Sequence, residues 1–213
     1  MTVAPWRECG GRGSGMSAAT AFVLALIALL LAACGSDIPP RGMISDNPNL
    51  ALPPLPASAE AEADEQVADP VRVRIPAIGV DAPVGPLEVD ETSVLPPPDT
   101  DEGTGWWRAG PEPGERGPAV IVGHVDSYQG PAVFVRLHEM QAGQEILVDR
   151  ADGTTATFVA TRVERHDKDA FPTEAVYDDT PDPQLRLVTC GGDFDRQDRR
   201  YLDNIIIYAA RTA

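Results

Sequence analysis

The sequence predicts a mainly β domain, either a closed barrel or a sandwich. Three observations carry that expectation. Apolar or alternating runs of strand length recur from about Val71 onward. Proline and glycine, 21 and 19 of the 213 residues, gather between those runs, where they break regular structure and shape turns. No long stretch has helical periodicity, and only 131–140 and 169–177 fit short helices. Many short strands with such connections read as an all-β domain.

The strands follow in order. In "VRVRIPAIGVDAPV", Val71, Val73 and Ile75 alternate with polar residues, as in a half-buried strand, and Pro76 and Gly79 then turn the chain. "VLPPPD" is loop. "AVIVGHVD" is an apolar strand that ends at Gly123 and His124. "EILVDRADGTTATFVATRVERHD" reads as two strands joined by an Asp-Gly hairpin turn at Ala151 to Thr154, where Gly153 supplies positive φ without steric cost. "LRLVTC" and "NIIIYAART" are two further apolar strands.

The chain before this body is of a different kind. Ala18 to Ala33 are all small or apolar apart from Thr20, with Arg7 and Arg12 upstream. That pattern fits the apolar region of an export signal or a short membrane span of about 17 residues. Either reading sends Ser36 to Ala213 out of the cytoplasm. "LAAC", ending at Cys34, resembles a bacterial lipobox, in which Cys34 carries lipid; the alternative is an uncleaved anchor helix. Met16 is a second candidate start. Residues 1–34 are thus a signal or anchor segment. Residues 35–69 are rich in proline, alanine and acid and lack periodicity, as expected of a tether. Residues 70–213 form the folded domain.

A net charge of −16 argues against nucleic-acid binding, which needs clustered Lys and Arg. Much of the acid lies in Glu60–Asp69 and Asp178–Asp203, and its ordinary effect is solubility.

The chain has three cysteines, Cys9, Cys34 and Cys190. Only Cys190 lies in the exported body, so no disulfide forms within that body. A leftover thiol in an oxidising compartment is either buried and inert or used. Zinc is not expected, because no second Cys and no close His pair stands near it. Cys190 ends an apolar strand and is followed by Gly191 and Gly192, which leave room for a substrate backbone. His124 ends another such strand. Arg196, Arg199 and Arg200 stand in the connection after Cys190. Thiol chemistry needs a thiolate, an acid for the leaving amine and a donor for the oxyanion, and these residues supply all three. The competing reading is a surface His, solvated Arg–Asp pairs and a buried Cys. His138 and His166 sit among polar neighbours and end no apolar strand.

Four stretches, "VRIPAIGVDAPV", "VIVGHVDS", "LRLVTCGGDFDR" and "YLDNIIIYA", resemble the sortase family. "CGG" followed by "FD" and "Y-x-x-N" resembles the class F type of Gram-positive actinobacteria. The resemblance covers the folded body. It implies a closed eight-stranded β-barrel with short helices, and cysteine transpeptidation with no metal or organic cofactor. A secreted protein bearing an LPXTG-like C-terminal signal is cleaved after its threonine. It is then joined through a thioacyl enzyme to a cell-wall amine such as a peptidoglycan precursor. The resemblance makes Cys190 the nucleophile and His124 the acid–base. In many sortases the arginine lies on the last strand, whose only arginine here, Arg211, is near the far end. Arg196 is therefore assigned, with Arg199 and Arg200 as alternates. The implied place is the outer face of the cytoplasmic membrane, though a lipobox departs from the family's usual uncleaved helix. Two rivals remain: a cysteine peptidase that hydrolyses the same intermediate, and a non-enzymatic anchored β-domain that binds a wall partner.

Overall fold

The computed structural model describes residues 67–91 and 94–212. The segment 1–34, with its export signal and lipobox, and nearly all of the tether lie outside the described residues. Within them, no helix is long and apolar enough to cross a membrane.

The strands are β1 Pro70–Ile75, β2 Val80–Leu87, β3 Thr104–Trp107, β4 Gly117–Gly123, β5 Asp126–Ser127, β6 Gly130–Pro131, β7 Glu145–Arg150, β8 Thr155–Asp167, β9 Pro183–Asp195 and β10 Arg200–Arg211. Eight of them close a barrel in the order β1-β2-β3-β4-β9-β10-β8-β7, and β5 and β6 form a small separate ribbon. β7 pairs back to β1 and completes the ring. The pairs β2–β3 and β4–β9 are parallel, and the other barrel neighbours are antiparallel. Closure removes the exposed edges that an open sheet leaves.

Side-chain alternation decides which residues fill the barrel. Val73 and Ile75 of β1, Ile121 of β4, Ile146 and Val148 of β7, Phe158 of β8, Leu187 of β9 and Ile207 of β10 are buried in one interior cluster. The Asp-Gly turn between β7 and β8 forms as its sequence requires. Gly153 has φ 83°, and Asp152 Oδ1 accepts the Thr154 N–H at 2.9 Å.

Several elements differ from the sequence expectation. Pro76–Ile78 is a 3-10 turn ended by Gly79 at φ 72°, but the chain then resumes a full strand, β2. β3, "TGWW", has no alternating signal, and it pairs with β2 and β4 on its two sides. Of 131–140 only Leu137–Glu139 is helical, as a 3-10 turn. Of 169–177 the structure forms a 3-10 turn at Lys168–Ala170 and one α-helix, α1, at Thr173–Tyr177. The strand at "LRLVTC" does not end at Cys190. β9 continues to Asp195 and pairs with β10 in a hairpin whose register slips between Tyr201 and Asp203. Two residues of β9 then oppose one of β10, a β-bulge, and Gly192 at φ 78° absorbs the bend.

Candidate active site

β4 and β9 lie side by side and parallel, with Ile121 opposite Leu187 and Val122 opposite Val188. Two residues further along both strands, the same register brings His124 level with Cys190. Thr189 Oγ1 donates to the Gly123 carbonyl at 2.8 Å and carries the contact past the last ladder pair. Gly123 is required for this approach, since a Cβ there would lie 2.6 Å from the Phe134 ring.

Alternation puts Cys190 on the outer face of the barrel wall, with Val120, Val122, Val188, Ile206 and Tyr208. Leu95, from the connection between β2 and β3, and Val176 of α1 complete that cluster, and both are 0% exposed. Cys190 is itself 0% exposed. It is disulfide-bonded. Directly opposite it on β10 stands Asn204.

His124 is half-buried. Its Nε2 donates to the Pro98 carbonyl at 3.0 Å, since a carbonyl only accepts. The His124 carbonyl accepts the Phe134 N–H at 2.9 Å. Both its backbone and its ring are thereby fixed.

A cavity of about 520 Å³ opens beside Cys190, lined among others by Cys190 itself, Gly191, Gly192, His138, Arg165 and Tyr201. The room beside the two glycines is already occupied. A Cβ on Gly191 would meet Ile205 Cγ1 at 2.7 Å, and one on Gly192 would meet Asp203 and Arg165. Arg165 donates from Nε to Asp203 Oδ2, so this pair covers Gly192. Tyr201 donates to Asp126 Oδ2. Burial, with the Asp126 carboxylate beside it, raises the Tyr201 phenol to about 12.

Lys168 also borders this region. It is 2% exposed, and its Nζ has no hydrogen-bond partner among the described residues. Burial pushes its ammonium down to about 8, the nearby Arg200 charge pushes the same way, and Asp203 opposes them.

The structure brings His124, one residue past the end of β4, level with Cys190 of β9, while Arg196, Arg199 and Arg200 are not among the residues that line the cavity. Arg196 is exposed and does not line the cavity. Asp195 caps the turn instead of holding Arg196, accepting the N–H groups of Gln197 and Asp198 at 2.8 and 3.2 Å. Phe194 is 47% exposed and meets the Tyr201 ring edge to face. Arg199 takes φ 53°, and Arg200 pairs with Asp198 at 3.7 Å. The arginine that lines the cavity is Arg165 of β8, which sequence reading passes over because β8 pairs with β10 and not with β9. His138 also lines the cavity, although its Nδ1 is bonded to the Val135 carbonyl at 3.1 Å. His166 pairs with Glu164 at 2.8 Å. No group of three or more His, Cys, Asp or Glu able to hold a metal occurs among the described residues.

A model of the sortase domain matches residues 73–212, more than half of the chain. No curated protein matches it. Solved structures of similar fold include a lid mutant of sortase A from Corynebacterium diphtheriae, 18% identical over 70% of this chain and 72% of that one, with TM-score 0.52. Sortase C2 of Group B Streptococcus pilus island 1 is 20% identical over 67% and 73%, with TM-score 0.51. Sortase C-1 from Actinomyces oris is 19% identical over 68% and 76%, also with TM-score 0.51. At these identities the likeness is one of fold.

Proposed function

The chain belongs to the sortase family of cysteine transpeptidases, and from that premise we propose that it is a class F enzyme acting on LPXTG-like sorting signals. The observation that carries the reading is the parallel pairing of β4 with β9, which sets a histidine level with the sole cysteine of the barrel.

The reduced Cys190 thiolate attacks the Thr–Gly carbonyl of the signal. The carbonyl π electrons move to oxygen, and Arg196 stabilises that oxyanion. His124 enters the step protonated, holding the proton that the Cys190 thiol has lost; as the tetrahedral intermediate collapses, the C–N bond breaks and His124 gives that proton to the leaving amine. A thioester on Cys190 remains. A cell-wall amine then attacks it, His124 takes the amine proton, and the thiolate leaves. The balance needs no cofactor. Because a disulfide sulfur cannot act as this nucleophile, activity requires a reduced Cys190.

Residues 1–34 hold the enzyme to the outer face of the membrane, by lipid on Cys34 or by an uncleaved helix. Residues 35–69 act as the tether, and 70–213 as the catalytic domain. A chain begun at Pro70 that folds and remains active supports this division; one that fails to fold overturns it. Unchanged processing and membrane retention of a Cys34→Ser variant rules out the lipid anchor.

The central test incubates the reduced protein with a panel of LPXTG-like peptides, with and without an added amine, read by mass spectrometry. Cleavage after threonine and amine-dependent transfer are expected. Cleavage with water as the only acceptor makes the protein a peptidase, and no processing of any peptide ends the proposal. The arginine is decided by comparing Arg196→Ala, Arg199→Ala, Arg200→Ala and Arg165→Ala. Loss of the oxyanion partner costs on the order of 10²–10³ in rate. Arg196→Ala is the expected deficient variant; near-normal transfer by it moves the role to whichever of the others is crippled.

A further inference from the structure

We propose that Asn204 is a substrate-binding residue of this active site, whose side-chain carbonyl accepts a backbone N–H from the acyl half of the bound peptide. The proposal rests on the transpeptidase reading above.

Asn204 stands directly opposite Cys190 in the β9–β10 ladder. Residues directly opposite in a ladder project from the same face, so the two side chains are neighbours. Asn204 is 0% exposed and shares its face with Ile206 and Tyr208, both in the cluster around Cys190. A polar amide in that setting needs partners for each of its atoms. Its Nδ2 donates to the Thr189 carbonyl at 3.2 Å. That bond fixes which end of the amide is which, because a carbonyl cannot donate. The side-chain oxygen is the remaining end, and it has no partner among the described residues. A buried acceptor left unpaired in the free protein is costly, and substrate N–H groups are the donors that an active site receives.

The strand order tells which part of the peptide is meant. β9 lies between β4 and β10, so His124 flanks Cys190 on one side and Asn204 on the other. His124 must face the leaving nitrogen in order to protonate it. The acyl half of the peptide therefore extends toward β10. An extended peptide presents N–H groups along its edge, and the Asn204 oxygen is the acceptor on that flank. The "Y-x-x-N" stretch thereby acquires a chemical role for its asparagine. Tyr201, at its other end, ties β10 to Asp126, two residues past His124.

The experiment uses the full-length chain, reduced, and an LPXTG-like peptide that it processes. Processing by wild type and its loss in Cys190→Ala come first; without them the transpeptidase reading fails, and this proposal with it. The same peptide is then made with a single backbone N-methyl at each acyl-half amide in turn. kcat/KM is measured for each peptide with wild type, Asn204→Leu and Asn204→Ala. Both variants should lose about tenfold with the parent peptide, the scale of one buried hydrogen bond. One N-methyl position should cost wild type a similar factor and cost the variants nothing further. Three results each overturn the proposal: wild-type rates in both variants, equal N-methyl penalties in wild type and variants, or no acyl-half N-methyl that slows wild type at all. Should Asn204→Leu fail to fold, the Asn204→Ala data and the wild-type N-methyl series still decide the matter.

Discussion

The two faces of the wall made by β4, β9 and β10 are built from the same three strands and serve different ends. On the inner face Ile121, Leu187 and Ile207 meet Val73, Ile146 and Phe158 from the far side of the barrel. On the outer face Val122, Val188 and Ile206 meet Leu95 and Val176, which come from connections. Leu187 and Cys190 are equally hidden, at 0% exposure each. The cost of uncovering them differs. Exposing Leu187 means opening a closed ring of strands, whereas exposing Cys190 means displacing the β2–β3 connection or α1. Connections open at lower free energy than core strands. The residues assigned to chemistry lie on the cheaper face.

That contrast is open to direct attack. The largest separation is expected between Cys190→Ala and Leu187→Ala. The first should abolish cleavage and transfer while the domain stays folded; the second should destabilise the domain by about 2–5 kcal/mol. Paired circular dichroism melts and peptide assays measure both, and transfer at the wild-type rate by Cys190→Ala ends the contrast. Next in size is the histidine. His124→Ala should lose about 10²–10⁴ in rate, and His138→Ala, from the cavity rim, far less. The reverse ranking would move the acid–base function off the β4–β9 register.

A smaller effect concerns Lys168. Its folded value of about 8 lies below the usual 10.5. Between those pH values the unfolded chain holds the proton and the folded chain does not, so stability should rise with pH across that window. Below about pH 8 the burial penalty is constant. The shift corresponds to an upper bound on the order of 3 kcal/mol. Lys168→Met should flatten the rise and raise stability near neutral pH, as read by urea unfolding at a series of pH values. A rise of equal size in the variant would show that Lys168 is not its cause. Leu95→Ala should destabilise the domain less than Leu187→Ala, because Leu95 packs from a connection that can relax, yet it should speed alkylation of reduced Cys190. An unchanged alkylation rate would mean that Leu95 does not cover the thiol.

Much of this arrangement was legible in the sequence. The hairpin turn at Gly153 and the long strands announce themselves by turn chemistry and apolar runs. Cys190 and His124 stand out because each follows an apolar run and precedes or follows glycine. What sequence could not supply was adjacency. The parallel pairing of β4 with β9 joins segments far apart in the chain, and nothing local encodes it. For the same reason Arg165 is silent in the sequence, for only the barrel order brings β8 round to the cavity. "VLPPPD" reads as loop, and it is loop, but its Leu95 is as buried as any core residue. The glycines after Cys190 were read as space for a substrate, whereas Ile205, Asp203 and Arg165 fill that space. Short range gives the turn and the strand; the third dimension decides what occupies the gap.

The place of β10 in the barrel has a consequence for the order of assembly. It is the last of the described strands, but it sits between β9 and β8. A nascent chain lacking Arg200–Arg211 has β8 and β9 without the strand that joins them, and its ring cannot close. Asn204 is then absent, and the outer cluster lacks Ile206 and Tyr208. In a chain made from its N-terminal end, Cys190 therefore emerges before the strand that completes the barrel. Pairings between distant segments are also slow to form, because loop closure must precede the contacts that reward it. A product truncated before β10 would carry Cys190 with no closed barrel to hold it.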